Sequence, residues 1–371
     1  MKNGIKIDSA EYPIYITDDF SELAEYIRVL GLDNKKFCII TDIDTGSIYL
    51  ESICDTVEKT SFESCVFTFK AGEENKNHNT VSNIYNFLLD NKFDRDSVIV
   101  ALGGGIVGDV AGFVASTFMR GISFIQIPTT LVAQIDSSVG GKVGINFENK
   151  KNIIGSFYSP KLVYINAETL NTLPEEIFSA GLSEVVKHGL IMDKDYYRYL
   201  QINQEDIKKR DKNILKNVIS GSCKIKLSIV KQDERENNIR QILNFGHTVG
   251  HAIEHVTNFK LSHGHAVAVG MVAEAYLSYH LNNLTKDELD DIIKTLKSFC
   301  LPTHITQHGD IINEIYNAML FDKKVKNNTL NIIMLNSIGC AYVENNISTQ
   351  SIQKAISFVV FGGEGEKCEQ N

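Results

Sequence analysis

A buried strand that runs into a glycine-rich turn constrains the fold of this chain more than any other feature. The segment SVIVALGGG (97–105) is an apolar run that ends in glycines, and GDVAGFVASTFM (108–119) then has the pattern of a helix. Gly103, Gly105 and Gly108 have the spacing and the strand–turn–helix context of a dinucleotide-binding fingerprint. Backbone N–H groups and the helix N-terminus favour a pyrophosphate at such a turn. A tight structural turn that only glycine fits is the alternative.

Strands and helices alternate around this turn. The segments KFCIITD (36–42) and SFIQIPTT (123–130) have the composition of buried strands, and residues 79–93 have apolar side chains at helical spacing. This alternation predicts an α/β fold, with a parallel sheet covered by helices on both faces.

The pattern changes after Pro174, where glutamates follow the proline as at a helix start. We therefore predict two domains, an α/β domain at 1–174 and a mainly helical domain at 175–371. A polar segment at 322–335 interrupts the helical part and predicts a small hairpin, and the tail predicts a frayed end. The longest helical patterns in this half are at 211–232, 241–256, 264–282 and 286–298.

Composition limits the classes of protein to which the chain can belong. The formal net charge of -9 argues against general nucleic-acid binding, and 43% hydrophobic residues suffice for buried cores. The seven cysteines are widely spaced and odd in number, which is typical of free thiols in a reducing compartment. Neither a secretory signal nor a membrane span is visible. We expect a soluble cytoplasmic protein.

Polar and charged side chains follow several of the predicted strands, as in the ligand crevices of open α/β sheets. Asp42 ends a strand, where its carboxylate would accept a hydrogen bond from a ribose hydroxyl. Any single lysine of the set is more typical of a solvated surface than of a ligand contact. The other candidates are Glu73, Lys76, Thr129, Thr130, Lys142, Lys151 and Asn152.

Three histidines at a spacing of four, His247, His251 and His255, fall near one stripe of a predicted helix. Glu184 and His263 are further candidates for the same site. Two histidines and a carboxylate with an open position describe a catalytic site of the zinc type. A histidine one turn from a ligand would then be free to move protons. His255 lies a further turn along the helix and no longer on the same face, and we expect it to be structural or solvated.

Cationic and amide side chains surround this predicted centre. Lys187 follows Glu184 by three residues, and Arg240 and Asn244 precede His247 by seven and three, so each is expected on the same helix face as its neighbour. Together with Lys226 and the pair Lys323 and Lys324, they suggest a small polyanion carrying phosphate or carboxylate. Solvated surface charge is the alternative.

With these residues assembled, the chain resembles the 3-dehydroquinate synthase family over about residues 10 to 355. The motifs that carry the resemblance are TDIDTGSIY, GEENK, ALGGGIVGDVAGFVASTFMRGISFIQIPTTLVAQIDSSVGGKVGIN, KNIIGSFYSP, TLNTLP, GLSEVVKHG, RQILNFGHTVGHAIE and FDKK. In this order they are highly specific. The glycine turn by itself is not, because iron-type alcohol dehydrogenases and glycerol dehydrogenases share a similar fold and turn.

The resemblance implies a Rossmann-like NAD-binding domain followed by a helical metal-binding domain, with the active site between them. It implies a lyase of the shikimate pathway and aromatic amino acid biosynthesis, which converts 3-deoxy-D-arabino-heptulosonate 7-phosphate to 3-dehydroquinate and phosphate. NAD is used catalytically, the metal is zinc or cobalt, and the family is typically dimeric.

Carried onto matching positions, the resemblance gives each site its residues. The implied metal ligands are Glu184, His247 and His263, and His251 is the implied proton carrier. The implied substrate residues are Asp136, Lys142, Asn152, Lys187, Lys226, Arg240, Asn244 and one of Lys323 and Lys324, of which we choose Lys324. The implied NAD residues are Asp42, Glu73, Lys76, Gly104, Gly105, Asp109, Thr129, Thr130, Lys142, Lys151, Thr169 and Thr172.

One departure from the family pattern affects the predicted metal centre. His265 follows the implied ligand His263 where the family has glutamate, which puts the charge and metal affinity of the site in question. Rival interpretations are another sugar phosphate cyclase, of the 2-deoxy-scyllo-inosose or valiolone type, an NAD-dependent polyol dehydrogenase, and a non-catalytic binding protein. Arg240, Asn244 and the lysine pair favour a substrate with a carboxylate, hence dehydroquinate synthesis.

Overall fold

The chain forms two compact units in the computed structural model. The first comprises Met1–Leu173 and Lys212–Leu227, and the second Pro174–Asp211 and Ser228–Asn371. Residues 212–227, which are predicted in the second domain, group with the first unit, where Lys216 Nζ lies 2.7 Å from Asp18 Oδ1. The structure describes residues 4–9, 11–148, 150–233, 238–305, 311–323 and 330–362, without the side chains of 321–323.

The first unit alternates strands and helices, as the sequence predicts. Its strands are β1 Ile5–Asp8, β2 Pro13–Thr17, β3 Lys36–Asp42, β4 Glu63–Phe69, β5 Val98–Gly103, β6 Ser123–Pro128, β7 Lys142–Phe147, β8 Lys150–Phe157 and β9 Leu162–Asn166. Its helices are α1 Leu23–Val29, α2 Ile43–Glu58, α3 His78–Asp90 and α4 Gly105–Thr117.

Seven of these strands form one sheet in the order β1-β2-β9-β6-β5-β3-β4, and β7 and β8 form a separate antiparallel pair. All neighbours in the large sheet are parallel except β1 and β2. Because β6, β5 and β3 are parallel neighbours, the polar residues that end them lie along one edge of the sheet. The predicted parallel sheet is confirmed.

Helices cover both faces of the large sheet. Cys38 and Ile40 of β3 belong to a core that includes residues of α3 and α4, while Phe37 and Ile39 belong to a second core with residues of α1 and α2. Successive residues of a strand point to opposite faces, so the continuous apolar run of β3 supplies both cores.

The second unit is mainly helical and contains one hairpin. Its helices are α5 Glu175–Met192, α6 Lys194–Ile202, α7 Gln204–Lys208, α9 His247–Val256, α10 His263–His280, α11 Lys286–Ser298, α12 Ile311–Lys323 and α13 Thr349–Val360, and its strands are β10 Ile332–Ser337 and β11 Cys340–Glu344. Helix α8, Lys212–Gln232, contributes its first part to the first unit and its last residues to the second.

Two sequence predictions in this unit are corrected. The helix predicted at 241–256 is broken: Ile239–Asn244 form a 3-10 helix and α9 begins only at His247. Gly246, with φ of 79°, makes the break, and its N–H donates to the buried carboxylate of Glu274 at 2.7 Å. The predicted hairpin exists as β10 and β11, but it begins at Ile332 and extends beyond the predicted 322–335 to Glu344. Residues 324–329 lie outside the described part.

Within the described ranges, no helix has the length and apolarity needed to cross a bilayer. The six described cysteines, which are all but Cys368, are free thiols. Their state agrees with the prediction that the cysteines form no disulfide framework.

Candidate active site

The glycine-rich turn lies at the carboxyl end of β5 and opens α4. Gly103 ends the strand, and a Cβ atom there would lie 2.6 Å from Cγ2 of Val107, so only glycine permits the turn. Gly104 is the N-cap residue of α4 and Gly105 its first residue, and no described side chain caps this helix start. The turn therefore offers backbone N–H groups to an anion, as a dinucleotide-binding turn requires.

Lys76 brings predicted cofactor and substrate residues together beside this turn. It is 4% exposed, its Nζ lies 2.6 Å from Oδ2 of Asp109, and the same atom donates to the Asn152 side chain. Burial raises the pKa of Asp109, while the neighbouring Lys76 opposes that rise. The pair is a polar centre within the first unit.

Two predicted cofactor residues also stabilise the starts of helical segments. Asp42 is the N-cap of α2, and its carboxylate accepts a hydrogen bond from the Thr45 N–H at 2.8 Å. The Thr130 hydroxyl accepts one from the Ala133 N–H at 3.2 Å. Both follow strands of the large sheet, as predicted, and Thr129 lies beside Thr130 as a buried residue.

The remaining predicted cofactor residues differ in accessibility. Thr169 is 1% exposed, and its hydroxyl donates to Asn166 and accepts from Gln134, so its contacts favour a structural role. The Thr172 hydroxyl lies 2.5 Å from the Tyr49 hydroxyl. Lys142, which opens β7, and Lys151 in β8 are exposed.

Asp136 and Lys226 form an ion pair inside the first unit. Asp136 belongs to a short π-helix, Ala133–Ser137, an irregularity that is frequent at functional sites. Lys226 is 6% exposed and comes from the part of α8 that belongs to this unit. Both residues are predicted substrate residues, but their pairing is not predicted.

In the second unit, Glu184 and Lys187 lie one turn apart on α5 and form a buried ion pair. Each is 1% exposed. Two charges this deeply buried are stable only when each is compensated. The same-face prediction for this pair is confirmed.

Two histidines, from α9 and α10, lie near the Glu184 carboxylate. The Nε2 atoms of His247 and His263 lie 3.5 Å and 4.0 Å from Oε1 of Glu184. A nitrogen of His251 joins the other two histidines in a cluster whose candidate donor atoms all lie within 4.8 Å of one another. The structure thus brings together all four residues of the predicted metal centre.

The outer hydrogen bonds of two histidines point their Nε2 atoms into this cluster. His247 Nδ1 lies 3.2 Å from the Phe245 carbonyl, and His263 Nδ1 lies 3.0 Å from Oε2 of Glu254. Nδ1–H groups that donate to these oxygens leave Nε2 as a lone-pair donor. Burial, and then the nearby Lys187, lowers the pKa of His247, which keeps its imidazole neutral. This donor set fits a divalent metal.

The geometry admits two sets of three ligands. One is Glu184, His247 and His263, as the resemblance implies, and the other is the three histidines. His265, which departs from the family pattern, is not part of the cluster, because its Nε2 lies 3.4 Å from the Ser179 hydroxyl. Burial lowers the pKa of the His265 imidazole. His255 is exposed, as expected.

Arg240 and Asn244 precede the break at Gly246, so they do not share a helix with His247, contrary to the same-face prediction. Arg240 is 2% exposed, and its backbone N–H donates to Asp233 at 3.1 Å. The predicted contact of Lys324 with substrate falls on a residue outside the described part of the chain, as does the side chain of Lys323.

Two residues that organise these clusters, Glu254 and Asn146, are not among the predicted site residues. Glu254 lies three residues after His251 and seven after His247, so helical spacing alone places it on their face. Asn146 ends the motif GKVGIN, and its contacts depend on the pairing of β7 and β8, which has no signal in the sequence.

Comparison with solved structures gives the class of fold. The 2-epi-5-epi-valiolone synthase of Streptomyces hygroscopicus subsp. jinggangensis 5008, solved with NAD+ and Zn2+, matches with a TM-score of 0.84 and 22% identity, covering 95% of this chain and 98% of that one. A 2-deoxy-scyllo-inosose synthase, solved with carbaglucose-6-phosphate, NAD+ and Co2+, matches at 0.83 and 25%, covering 95% and 99%. The chain has the fold of the sugar phosphate cyclases.

Comparison with sequence families gives the particular branch. Family models described as 3-dehydroquinate synthase N-terminal and C-terminal match residues 66–180 and 181–325. The 3-dehydroquinate synthase of Acetivibrio thermocellus is 45% identical over 334 residues, which cover 90% of this chain and 92% of that protein. The chain belongs to the 3-dehydroquinate synthase family of enzymes.

Proposed function

We propose that this protein is a lyase that converts 3-deoxy-D-arabino-heptulosonate 7-phosphate to 3-dehydroquinate and phosphate. The observation that carries the proposal is the cluster of Glu184, His247, His251 and His263 beside Lys187, in a chain of this family. Carboxylate and imidazole donors suit zinc or cobalt, and a metal held by three of them would have an open position for a substrate oxygen.

We assign the cofactor to the first unit. The uncapped start of α4, the Lys76–Asp109 pair and the strand-end carboxylate of Asp42 would bind NAD through its pyrophosphate and ribose groups. The cofactor would supply reversible hydride transfer, to and from the ring carbon that carries the hydroxyl, and a divalent metal would polarise that hydroxyl. The cofactor is thus regenerated in each turnover.

The protein's own side chains bind the substrate and move its protons. Oxidation of the hydroxyl to a ketone acidifies the neighbouring C–H, so that a proton and then phosphate can leave. His251, exposed within the cluster, is placed to move the hydroxyl proton. Lys187 and Arg240 are buried cations of the second unit that would bind the carboxylate or the phosphate of the substrate. Return of the hydride, ring opening and an internal aldol step then form the carbocycle.

The choice among sugar phosphate cyclases rests on the carboxylate. The family match and the buried guanidinium of Arg240 support a substrate that carries one. Assays of the metal-loaded protein with 3-deoxy-D-arabino-heptulosonate 7-phosphate and with glucose 6-phosphate, which has no carboxylate, test this choice. We expect phosphate release from the first alone, and release only from glucose 6-phosphate would contradict the proposal.

We further propose that the protein works in the cytoplasm as a homodimer, without a nucleic-acid or membrane partner. The free state of the described cysteines supports a reducing compartment, and the net charge of -9 supports the absence of a nucleic-acid partner. Gel filtration with light scattering would test the dimer, and a monomer mass would contradict it.

A further inference from the structure

Asn146 connects three residues of the proposed site in the first unit. Its backbone N–H donates to the Lys76 carbonyl at 2.8 Å, and its side-chain Nδ2 donates to Oε1 of Glu73 at 2.7 Å. Its Oδ1 accepts from the Asn152 N–H at 2.9 Å. Each of these contacts reaches a residue assigned to cofactor or substrate, while Asn146 itself has no assigned role.

These contacts depend on a β-bulge in the pair β7–β8. Ile145 pairs with Ile154 and Phe147 with Lys150, so Asn146 alone lies opposite residues 151–153. A bulge leaves backbone groups of the longer strand without their ladder partners and turns a side chain in a new direction. Here the Asn146 side chain accepts from the Asn152 N–H, and the Asn152 side chain reaches Lys76 Nζ.

Asn152 adopts a backbone conformation that needs support. Its φ is 54°, in the left-handed region that non-glycine residues seldom adopt outside turns. The hydrogen bond to Asn146 holds this conformation. Lys76, whose Nζ donates to the Asn152 side chain, accepts at its own carbonyl from the Asn146 N–H. Asn146 therefore supports the position of Asn152 in two ways, through a direct hydrogen bond and through Lys76.

We propose that Asn146 is a positioning residue that orients Glu73 and Lys76 for the nicotinamide cofactor and Asn152 for the sugar phosphate. The inference rests on the proposed function and deepens it, because one amide then serves both binding sites. The Nδ2 donor acts on the cofactor side through Glu73, and the Oδ1 acceptor acts on the substrate side through Asn152.

Two substitutions distinguish the role of Asn146 in NAD binding from its role in substrate binding. Asn146→Ala removes both side-chain contacts, whereas Asn146→Asp keeps an acceptor for the Asn152 N–H and faces Glu73 with a second carboxylate. We expect both variants to raise the dissociation constant for NAD about tenfold, as for a lost hydrogen bond to a charged group. The KM for the sugar phosphate rises several-fold in Asn146→Ala and stays near the original value in Asn146→Asp, with kcat changed less than KM.

The control is Asn91→Ala, which removes another amide-to-backbone bond of the first unit, from Asn91 Nδ2 to the Phe87 carbonyl at 2.8 Å. Its NAD and substrate constants should stay unchanged even if its melting temperature falls. NAD binding is measured by calorimetry and folding by circular dichroism. If Asn146→Ala does not fold, the NAD dissociation constant of Asn146→Asp alone tests the role in cofactor binding. The KM of Asn146→Ser, which has a shorter acceptor, then tests the role in substrate binding.

The outcomes separate this inference from the proposed function. A folded Asn146→Ala variant with unchanged NAD dissociation constant and unchanged KM overturns the positioning role and leaves the proposed function intact. Equal KM in the alanine and aspartate variants overturns the substrate side. Failure of the unsubstituted protein to bind NAD or to turn over the sugar phosphate overturns the proposed function and this inference together.

Discussion

The His263 imidazole and the Glu254 carboxylate, nine residues apart on consecutive helices, meet at 3.0 Å between Nδ1 and Oε2. Glu254 is 4% exposed. A buried carboxylate that accepts from Nδ1 fixes the tautomer and the ring orientation of a histidine whose Nε2 binds a metal. Glu254 thus acts on the proposed metal centre without being one of its ligands.

Replacement of this carboxylate tests that relationship. Glu254→Gln should lower the affinity for zinc by about 10- to 100-fold, because the amide accepts more weakly from the imidazole and no longer fixes its tautomer. Competition with a chelator measures the affinity, and the visible spectrum of the cobalt-loaded protein reports the geometry. The control is Glu205→Gln, which changes an exposed carboxylate. Equal zinc affinity in the unsubstituted protein and in both variants would refute the role of Glu254.

The buried pair of Glu184 and Lys187 predicts a dependence of stability on the metal. Lys187→Met should lower the free energy of unfolding of the metal-free protein by about 3 kcal/mol, because the Glu184 carboxylate is left buried without its cation. Zinc should recover part of this loss, since it compensates the same carboxylate. Urea unfolding with and without zinc measures both effects.

The control for that substitution has the same spacing on the surface. Lys208 lies 2.6 Å from Glu205, also three residues apart, but the Glu205 side chain is 64% exposed. Lys208→Met should change the free energy of unfolding by less than about 1 kcal/mol, with or without zinc. An equal loss in the free energy of unfolding of the two variants would mean that the burial of Glu184 and Lys187 does not affect the stability that their ion pair provides.

His251 is a proton carrier in one ligand set and a metal ligand in the other. We expect His251→Ala to retain bound zinc and to lower kcat by about a hundredfold or more, as for loss of a general acid–base group. His263→Ala, by contrast, should lose the metal. Elemental analysis after gel filtration, beside a turnover assay, distinguishes these results. Loss of zinc from both variants would establish the set of three histidines.

The thiols should differ sharply in reactivity. Burial raises the pKa of the Cys223 thiol to about 12, and the thiol donates to the Gln134 carbonyl. The thiolate is the reactive form of a cysteine. At pH 8 only about one Cys223 side chain in ten thousand is a thiolate, and this fraction rises as the pH is raised toward the pKa. Exposed Cys300 and Cys340 should react first with iodoacetamide, as mass spectrometry of the labelled peptides would show. Rapid labelling of Cys223 in the folded protein would contradict its burial.

The local pattern predicted the first unit well because its strands are buried on both faces. Runs such as 37–40 and 98–102 are apolar throughout and buried, as is typical of strands in a parallel sheet that is covered on both faces. The break before α9 was not predicted, because RQILNFGHTVGH has continuous helical spacing. It arises from the left-handed conformation of Gly246 and from the buried Glu274, a contact across 28 residues.

The site was predictable in its residue types but only partly in its pairings. Helical spacing relates Glu184 to Lys187 and His247 to His251. The ion pair of Asp136 with Lys226 and the contacts of Asn146 join residues brought together only by the folded chain, so no local pattern indicates them. The assignment of individual residues to NAD, metal and substrate remains a prediction.

The central claim is a cyclisation in which NAD is regenerated, and one reaction tests it most directly. Metal-loaded protein is mixed with 3-deoxy-D-arabino-heptulosonate 7-phosphate and substoichiometric NAD, while phosphate, dehydroquinate and the NADH absorbance band are followed together. We predict many equivalents of phosphate and dehydroquinate per NAD, in equal amounts, with no lasting NADH. Product limited to one equivalent per NAD, with NADH accumulating, would identify a net dehydrogenase and contradict the account.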